Sequence, residues 1–393
     1  MTEPAARPVS LAVPIGAGVV TALVGFTSSF AVVLTGLRAA GATDAQAASG
    51  LFALSLIMGV GIVGLALRYR IPLTLAWSTP GAALLAGTGA IVGGWPAAVG
   101  AFVVVGLAIV LTGAWPRLGA LIASIPVSLA QAMLAGVILP LCLEPVRALA
   151  ASPVAVAPVV LTWLVLQRFS PRWAVPAAFG VAAVVIGVSL LRSGTAVPAD
   201  ALVPTLSPVA PVWTWQAAVG VALPLYIVTM ASQNIPGTAV MASFGYTVPW
   251  RASMTVTGAA TAAAAPVGAF AVNLAAISAA LAASPDAEPN RDRRWIAAVA
   301  AGVAYLLLAV SSAALATLVT LAPAGIVETV AGLALLGTLA SALAASTQHP
   351  ADRVPAAITF VVAASGVAVA GIGSAFWALV AGLVVRAVTA DRT

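Results

Sequence analysis

Residues 71–89 read Ile71-Pro-Leu-Thr-Leu-Ala-Trp-Ser-Thr-Pro-Gly-Ala-Ala-Leu-Leu-Ala-Gly-Thr-Gly89. The stretch carries no charge and is apolar enough for a membrane, yet its middle, Trp77-Ser-Thr-Pro-Gly81, cannot continue a regular helix. Pro80 lacks an N–H and pushes Thr79 away from helical dihedrals. Irregular backbone at membrane depth is tolerated only where it is buried in protein or borders a watery cavity. A broken spanning segment of this kind points to a transport site.

The surrounding composition agrees. The chain of 393 residues is 62% hydrophobic and 7% charged, against roughly 25% charged in soluble domains, and its mean hydropathy is +1.13. This fits an all-α polytopic membrane protein. The polar start Met1-Thr-Glu-Pro-Ala-Ala-Arg-Pro8 lacks the basic opening and small-residue cleavage site of a signal peptide. The first hydrophobic span is therefore expected to stay as a helix. The net charge is +6, and all 16 basic residues are arginines. Such a bias reads as membrane topology rather than as affinity for nucleic acid. The single cysteine, Cys142, excludes an internal disulfide and any multi-cysteine metal site, and the single histidine, His349, reads as a solvated loop residue beside Pro350. No cofactor is expected. Without a nucleophile–base pair or a phosphate loop, an enzyme is not expected either.

Hydrophobic stretches of membrane-spanning length fall at 10–37, 44–67, 72–90, 95–113, 125–143, 154–169, 174–191, 214–233, 249–264, 266–284, 295–320, 325–343, 354–371 and 373–389. Fourteen spans with both termini in the cytoplasm place 13 of the 16 arginines inside, leaving Arg38, Arg147 and Arg192 outside. Thr43 with Gln46 three residues on predicts a capping box at the start of the second span. The proline-rich segment from Pro198 to Pro211 joins two halves, 1–197 and 198–393.

The halves echo each other. Trp95-Pro-Ala-Ala-Val-Gly-Ala101 matches Trp295-Ile-Ala-Ala-Val-Ala-Ala301, Pro126 and Gln131 match Pro323 and Glu328 in spacing, and Ser28 to Gly41 matches Ser232 to Gly245. Pro72 to Thr79 then matches Pro266-Val-Gly-Ala-Phe-Ala-Val-Asn273. Seven spans per half is odd, so the second half is expected to lie inverted, as in many secondary transporters. The third and tenth spans become equivalent: each is expected to be an extended stretch followed by a half-helix, starting near Thr79–Gly81 and near Asn273–Ala275.

A helix N-terminus offers unpaired N–H groups and partial positive charge, a natural place for an anion. The spans are expected to hold no buried lysine or arginine that could bind a carboxylate, which leaves the backbone dipoles as the substitute. On the eighth span Tyr226, Met230, Gln233, Asn234 and Gly237 share one face at helical spacing. On the first, Phe26, Ser29 and Phe30 share a face, with Ser28 adjacent. Phe26, Ser28, Ser29, Trp77, Ser78, Thr79, Gly81, Tyr226, Gln233, Asn234, Phe270 and Asn273 are thus the candidate substrate-binding residues. Aromatic surface, amides and helix starts suit a flat aromatic acid. The plainer alternatives are that Gln233 and Asn234 hold helices together and that Trp77 fills the core.

At these residues the chain resembles the benzoate:proton symporter (BenE) family. Leu75 to Leu85, Leu223 to Asn234 and Gly371-Ile-Gly-Ser-Ala-Phe-Trp377 carry the resemblance. It implies import of benzoate or a related aromatic carboxylate across a bacterial inner membrane, driven by protons. It also implies similarity to the uracil-transporter-like fold, with spans 1–4 and 8–11 as core and spans 5–7 and 12–14 as gate. Nucleobase carriers of that fold are expected to carry acids where this chain has Gln233, Asn234 and Asn273, and amides suit an anionic substrate better. The proton carrier is then unassigned. Glu328, early in the twelfth span, is the candidate; Glu144, three residues before Arg147, reads as half of an interfacial ion pair. A nucleobase or inorganic-anion carrier of the same fold and a passive anion channel are the competing readings. The oligomeric state is left open, with a homodimer among the options.

Overall fold

The computed structural model describes residues 11–195 and 198–390. They are helical except for loops and one small sheet. Eight helices among them are long and apolar enough to cross a bilayer: Ala12–Ala39, Asp44–Tyr69, Gly94–Ala114, Val127–Ala151, Pro171–Ser193, Trp215–Ser243, Arg291–Val310 and Ile326–Ser346. Pro153–Phe169 and Ser374–Thr389 are shorter apolar helices. Large apolar side chains face outward, among them Val154 and Leu191 at 91% and 84% exposure. Lipid is the solvent that accommodates such a surface.

Local chemistry sets several boundaries. Thr43 accepts from the Gln46 N–H at 3.3 Å, and the Thr43 N–H donates to Gln46 Oε1 at 2.9 Å, closing the expected capping box at the helix Asp44–Tyr69. The first long helix is interrupted at Ser28–Ser29, where Ser29 leaves helical geometry at φ −148°. The stretch expected to end near residue 233 continues to Ser243, and it contains two π-helical turns, Ala218–Ala222 and Met230–Asn234.

The sequence 71–89 folds as its composition requires. Leu75–Trp77 is an extended strand, β1, and Thr79–Gly87 is a helix of nine residues. The partner segment forms β2, Val272–Leu274, antiparallel to β1, with Ala76 opposite Asn273. The Ser78 N–H donates to the Ala271 carbonyl at 2.9 Å, and the Ala275 N–H to the Thr74 carbonyl at 3.0 Å, extending the ladder by one bond at each end. A deeply buried two-stranded sheet has an outer edge to satisfy, because an unpaired backbone group there costs on the order of several kcal/mol. Side chains do so for β2: the Val272 N–H donates to Thr261 Oγ1 at 3.0 Å, and the Leu274 N–H to Asn234 Oδ1 at 2.9 Å.

The second break differs from its expected register. Its helix runs Ile277–Ala283, so Asn273 lies within the strand and not at a helix start. The strand pairs Ala76 with Asn273, whereas the prolines suggested a match of Thr79 with Asn273. Gly268, at φ +100°, ends the short turn Ala265–Val267 ahead of β2.

Helices pack through small residues, as membrane helices do. Gly59 and Gly302 bring Asp44–Tyr69 against Trp295–Val310, where a Cβ on either would meet the other's carbonyl within 2.9 Å. Gly106 and Gly258 do the same for Gly94–Ala114 and Trp250–Ala264. Beyond the helix Ile277–Ala283, the buried Arg294 donates to the carbonyls of Ala283 at 2.9 Å and Glu288 at 2.7 Å, capping that helix's negative end.

Candidate functional site

The two breaks meet at a cavity of about 270 Å³. Val24, Gly25, Ser28 and Ser29 enter it from the interruption of the first helix, and Ala76, Trp77, Thr79 and Pro80 from β1 and the helix after it. Gln233 comes from the π turn, Ala275 and Ala276 from the link after β2, Ser278 from the helix Ile277–Ala283, and Tyr305 from Trp295–Val310. The opposite wall is Pro171, Arg172, Val175 and Pro176 from one helix, with Ala334 and Thr338 from another. Pockets for drug-sized ligands span about 300–1,000 Å³, and this one lies just below that range.

Of the expected site residues, Ser28, Ser29, Trp77, Thr79 and Gln233 line the cavity. Trp77 is held from three sides. Its Nε1 donates to Ser29 Oγ at 2.8 Å, Phe26 meets it edge-on at 5.3 Å between centroids, and Tyr305 does so at 6.4 Å. Phe26 is buried behind the indole and stacks on Phe30 at 5.7 Å.

Ser78 and Gly81 serve the helix start itself. Ser78 Oγ accepts from the Gly81 N–H at 3.1 Å and from the Thr229 hydroxyl at 2.9 Å, so it caps the helix and ties it to Leu223–Thr229. With Gly81 engaged and Pro80 lacking a donor, Thr79 is left to present its N–H and hydroxyl. Thr79, Gln233, Ser278, Tyr305 and Thr338 line the cavity with side chains that make no hydrogen bond among the described residues.

The eighth-span face does not converge on the cavity. A π turn bonds i to i+5 and adds a residue to the turn, here through the Ile235 N–H to the Met230 carbonyl. The side chains beyond it are rotated from their expected positions. Gln233 enters the cavity, while its neighbour Asn234 is buried, accepting from β2 and reaching Met230 Sδ at 3.2 Å through Nδ2. Tyr226 is buried against the Thr112 hydroxyl, and Phe270 packs edge-on with Phe102 at 6.1 Å. Asn273 is fully buried, and neither amide atom has a partner among the described residues.

Both acids singled out in the sequence lie apart from this cavity. Glu144 pairs with Arg147 at 2.7 Å, as expected. Glu328 is exposed rather than embedded. Its Oε2 accepts the Gly325 N–H at 3.1 Å, because three residues into a helix is where a carboxylate reaches back to the start. It faces a second cavity that Arg38 also lines.

Sequence reasoning missed Arg172, the one charged side chain among the residues lining the central cavity, counting it only with the cytoplasmic arginines. The available signal was its position behind Pro171 at a helix start, where a cation opposes the helix dipole.

A helical membrane protein with two broken segments paired beside a central cavity has the build of a transporter, and comparison with known proteins makes this specific. The chain belongs to the benzoate membrane transport protein family, BenE, whose profile matches residues 9–388. It is 39% identical over 382 residues to the inner membrane protein YdcO of Escherichia coli strain K12, covering 96% of each chain. It is 30% identical over 375 residues to the benzoate membrane transport protein of Acinetobacter baylyi, covering 93% of this chain and 92% of that one. Among solved structures, the transmembrane domain of the cyanobacterial bicarbonate transporter BicA matches with a TM-score of 0.59 at 14% identity, over 96% of this chain and 97% of that one. SLC26A9 matches with a TM-score of 0.64 at 11% identity, over 96% of this chain and 65% of that chain. At these identities the likeness is one of fold.

Proposed function

We propose that this protein is a secondary active transporter that imports benzoate or a related aromatic carboxylate across the bacterial inner membrane, coupled to protons. The names of the Acinetobacter and Escherichia relatives support the substrate and the membrane. The observation that carries the reading is the chemistry of the cavity wall. It joins the rings of Trp77 and Tyr305 to donors on Thr79, Ser278, Gln233 and Arg172, with no carboxylate among its lining residues. A ring with one carboxylate satisfies both halves of that wall. A second carboxylate there would repel the substrate.

Fourteen spans in two inverted repeats of the uracil-transporter type complete the proposal. The Gly59–Gly302 and Gly106–Gly258 crossings support it, since exchanging span 2 with 9 and span 4 with 11 converts one crossing into the other. The antiparallel β1–β2 pair has the same internal symmetry. Core and gate would then be the two walls of the cavity, and their relative movement would alternate access. Glu328 is the proposed coupling residue. Its place beside Arg38 on a second cavity supports that role, and its exposure weighs against it. Glu328→Gln should abolish the pH dependence of uptake, and an unchanged pH profile would exonerate it.

Uptake of labelled benzoate into proteoliposomes under an imposed pH gradient tests the whole. Saturable accumulation that collapses with the gradient is expected. Accumulation indifferent to the gradient would remove the coupling, and conductance without saturation would indicate a channel.

A further inference from the structure

Arg172 stands where fold stability does not call for it. It is the second residue of the helix Pro171–Ser193, in the first turn, where the dipole's positive end disfavours a cation. Ser170, the residue before that helix, makes no side-chain cap. Among the described residues no carboxylate pairs with Arg172 and no ring stacks on it, whereas Arg38, Arg147 and Arg386 each hold an acid. The neighbouring Arg168 lies over Phe169. Arg172 is both exposed to solvent and part of the cavity wall. It therefore marks the cavity's mouth.

We propose that Arg172 is the carboxylate-recognising residue of this transporter on the wall facing the broken helices. Its guanidinium meets the substrate anion at the mouth and confers preference for the anion over its neutral analogues. The inference rests on the reading of the substrate as a carboxylate. A guanidinium presents a planar fork of donors to the two carboxylate oxygens, which an ammonium cannot match. Pro171 fixes the backbone dihedral just before it, so the fork projects from a defined point. Thr79 stands on the other wall of the same cavity. A carboxylate in the cavity sits between the charge at its mouth and the donors at a helix start, and a ligand held by both bridges the two walls. Arg172 would thereby report the substrate's charge to the helices that must move.

The test uses the full chain in proteoliposomes, with wild type, Arg172→Gln and Arg172→Lys measured for benzoate and for its neutral analogue benzamide. Arg172→Gln should raise the KM for benzoate about tenfold or more, the scale expected for a hydrogen bond to a charged group. It should also flatten the dependence of that KM on ionic strength, while the lysine variant keeps the salt dependence with weaker binding. A structural fault would reduce transport without changing the salt dependence or separating glutamine from lysine. Wild-type KM and salt dependence in Arg172→Gln, with benzoate transported, would overturn the role of Arg172 alone. Transport of benzamide but not benzoate by the wild type would overturn the substrate reading and this inference with it.

Discussion

The indole Nε1 of Trp77 donates to the hydroxyl of Ser29 at 2.8 Å, joining the interruption of the first helix to the strand that precedes the broken one. Ser29 Oγ also lies 3.2 Å from the Gly25 carbonyl. One hydroxyl thus holds an unwound turn and an aromatic cavity wall in register. Ser29→Ala strands a buried indole N–H and should cost about 1–3 kcal/mol, read as a lower unfolding midpoint in detergent. In a double-mutant cycle with Trp77→Phe the two losses should fall short of additive; full additivity would mean that the bond contributes nothing.

Gln233 and Asn234 are adjacent in sequence and opposite in use. Asn234→Ala removes the acceptor of the Leu274 N–H and should destabilise the protein by about 1–3 kcal/mol. Gln233→Ala faces the cavity and should leave the midpoint nearly unchanged while weakening benzoate binding. Thermal unfolding and equilibrium binding on the two variants check the split, which equal effects on both readouts would erase.

Asn273 is buried with an unsatisfied amide. Replacing such a group by an apolar residue of similar shape can be neutral or stabilising. Asn273→Leu is therefore expected to hold or raise the unfolding midpoint. If the amide is kept for transport, the same variant should lose benzoate uptake, the exchange of stability for activity seen at functional sites. A lower midpoint with normal uptake would assign Asn273 to the fold.

Close glycines should separate from open ones. A Cβ at Gly106 would lie 2.5 Å from the Ala262 backbone nitrogen, so Gly106→Ala should destabilise by about 1–3 kcal/mol. Nothing lies within 4 Å of the corresponding position at Gly180, where the helix-favouring alanine should be neutral or gain up to about 1 kcal/mol. Unfolding midpoints of the two variants measure the difference.

Outside the spans, Asp352 accepts from Ser128 Oγ and from Arg386 Nε, each at 2.7 Å. Burial pulls its pKa up, but the two donors, with the charges of Arg386 and His349, more than offset this and hold the carboxyl below its ordinary 3.8. A depressed folded pKa contributes stability above the unfolded value and loses it as pH falls through the folded one. The midpoint gap between wild type and Asp352→Asn should be widest above pH ~5, begin to narrow near the unfolded pKa of ~3.9 and close as pH falls through the lower folded value. A gap constant with pH would show that ionisation of Asp352 does not stabilise the fold.

Much of this was legible in sequence because it depends on neighbours in the chain. The Pro80 break, the Thr43–Gln46 box and the Glu144–Arg147 pair are each decided within a few residues. Gln233 was also found, through its polarity. What escaped depends on register and on distant contacts. The π turn at Met230–Asn234 redistributes a face that helical spacing alone would unite. The strand pairing, not the prolines, sets the position of Asn273. Arg172 joins the site because its helix closes the cavity from the far side; its place at a helix start is a local sign of an unusual cation but not of that contact.

The central claim is that an aromatic carboxylate occupies the cavity between the paired breaks. An experimental structure with 4-bromobenzoate, the bromine located by anomalous scattering, addresses it most directly. Bromine is expected in the cavity bounded by Trp77, Tyr305 and Gln233, with the carboxylate directed to Thr79 or Arg172. Bromine in the second cavity beside Arg38 and Glu328, or an empty central cavity at saturating ligand, would contradict it.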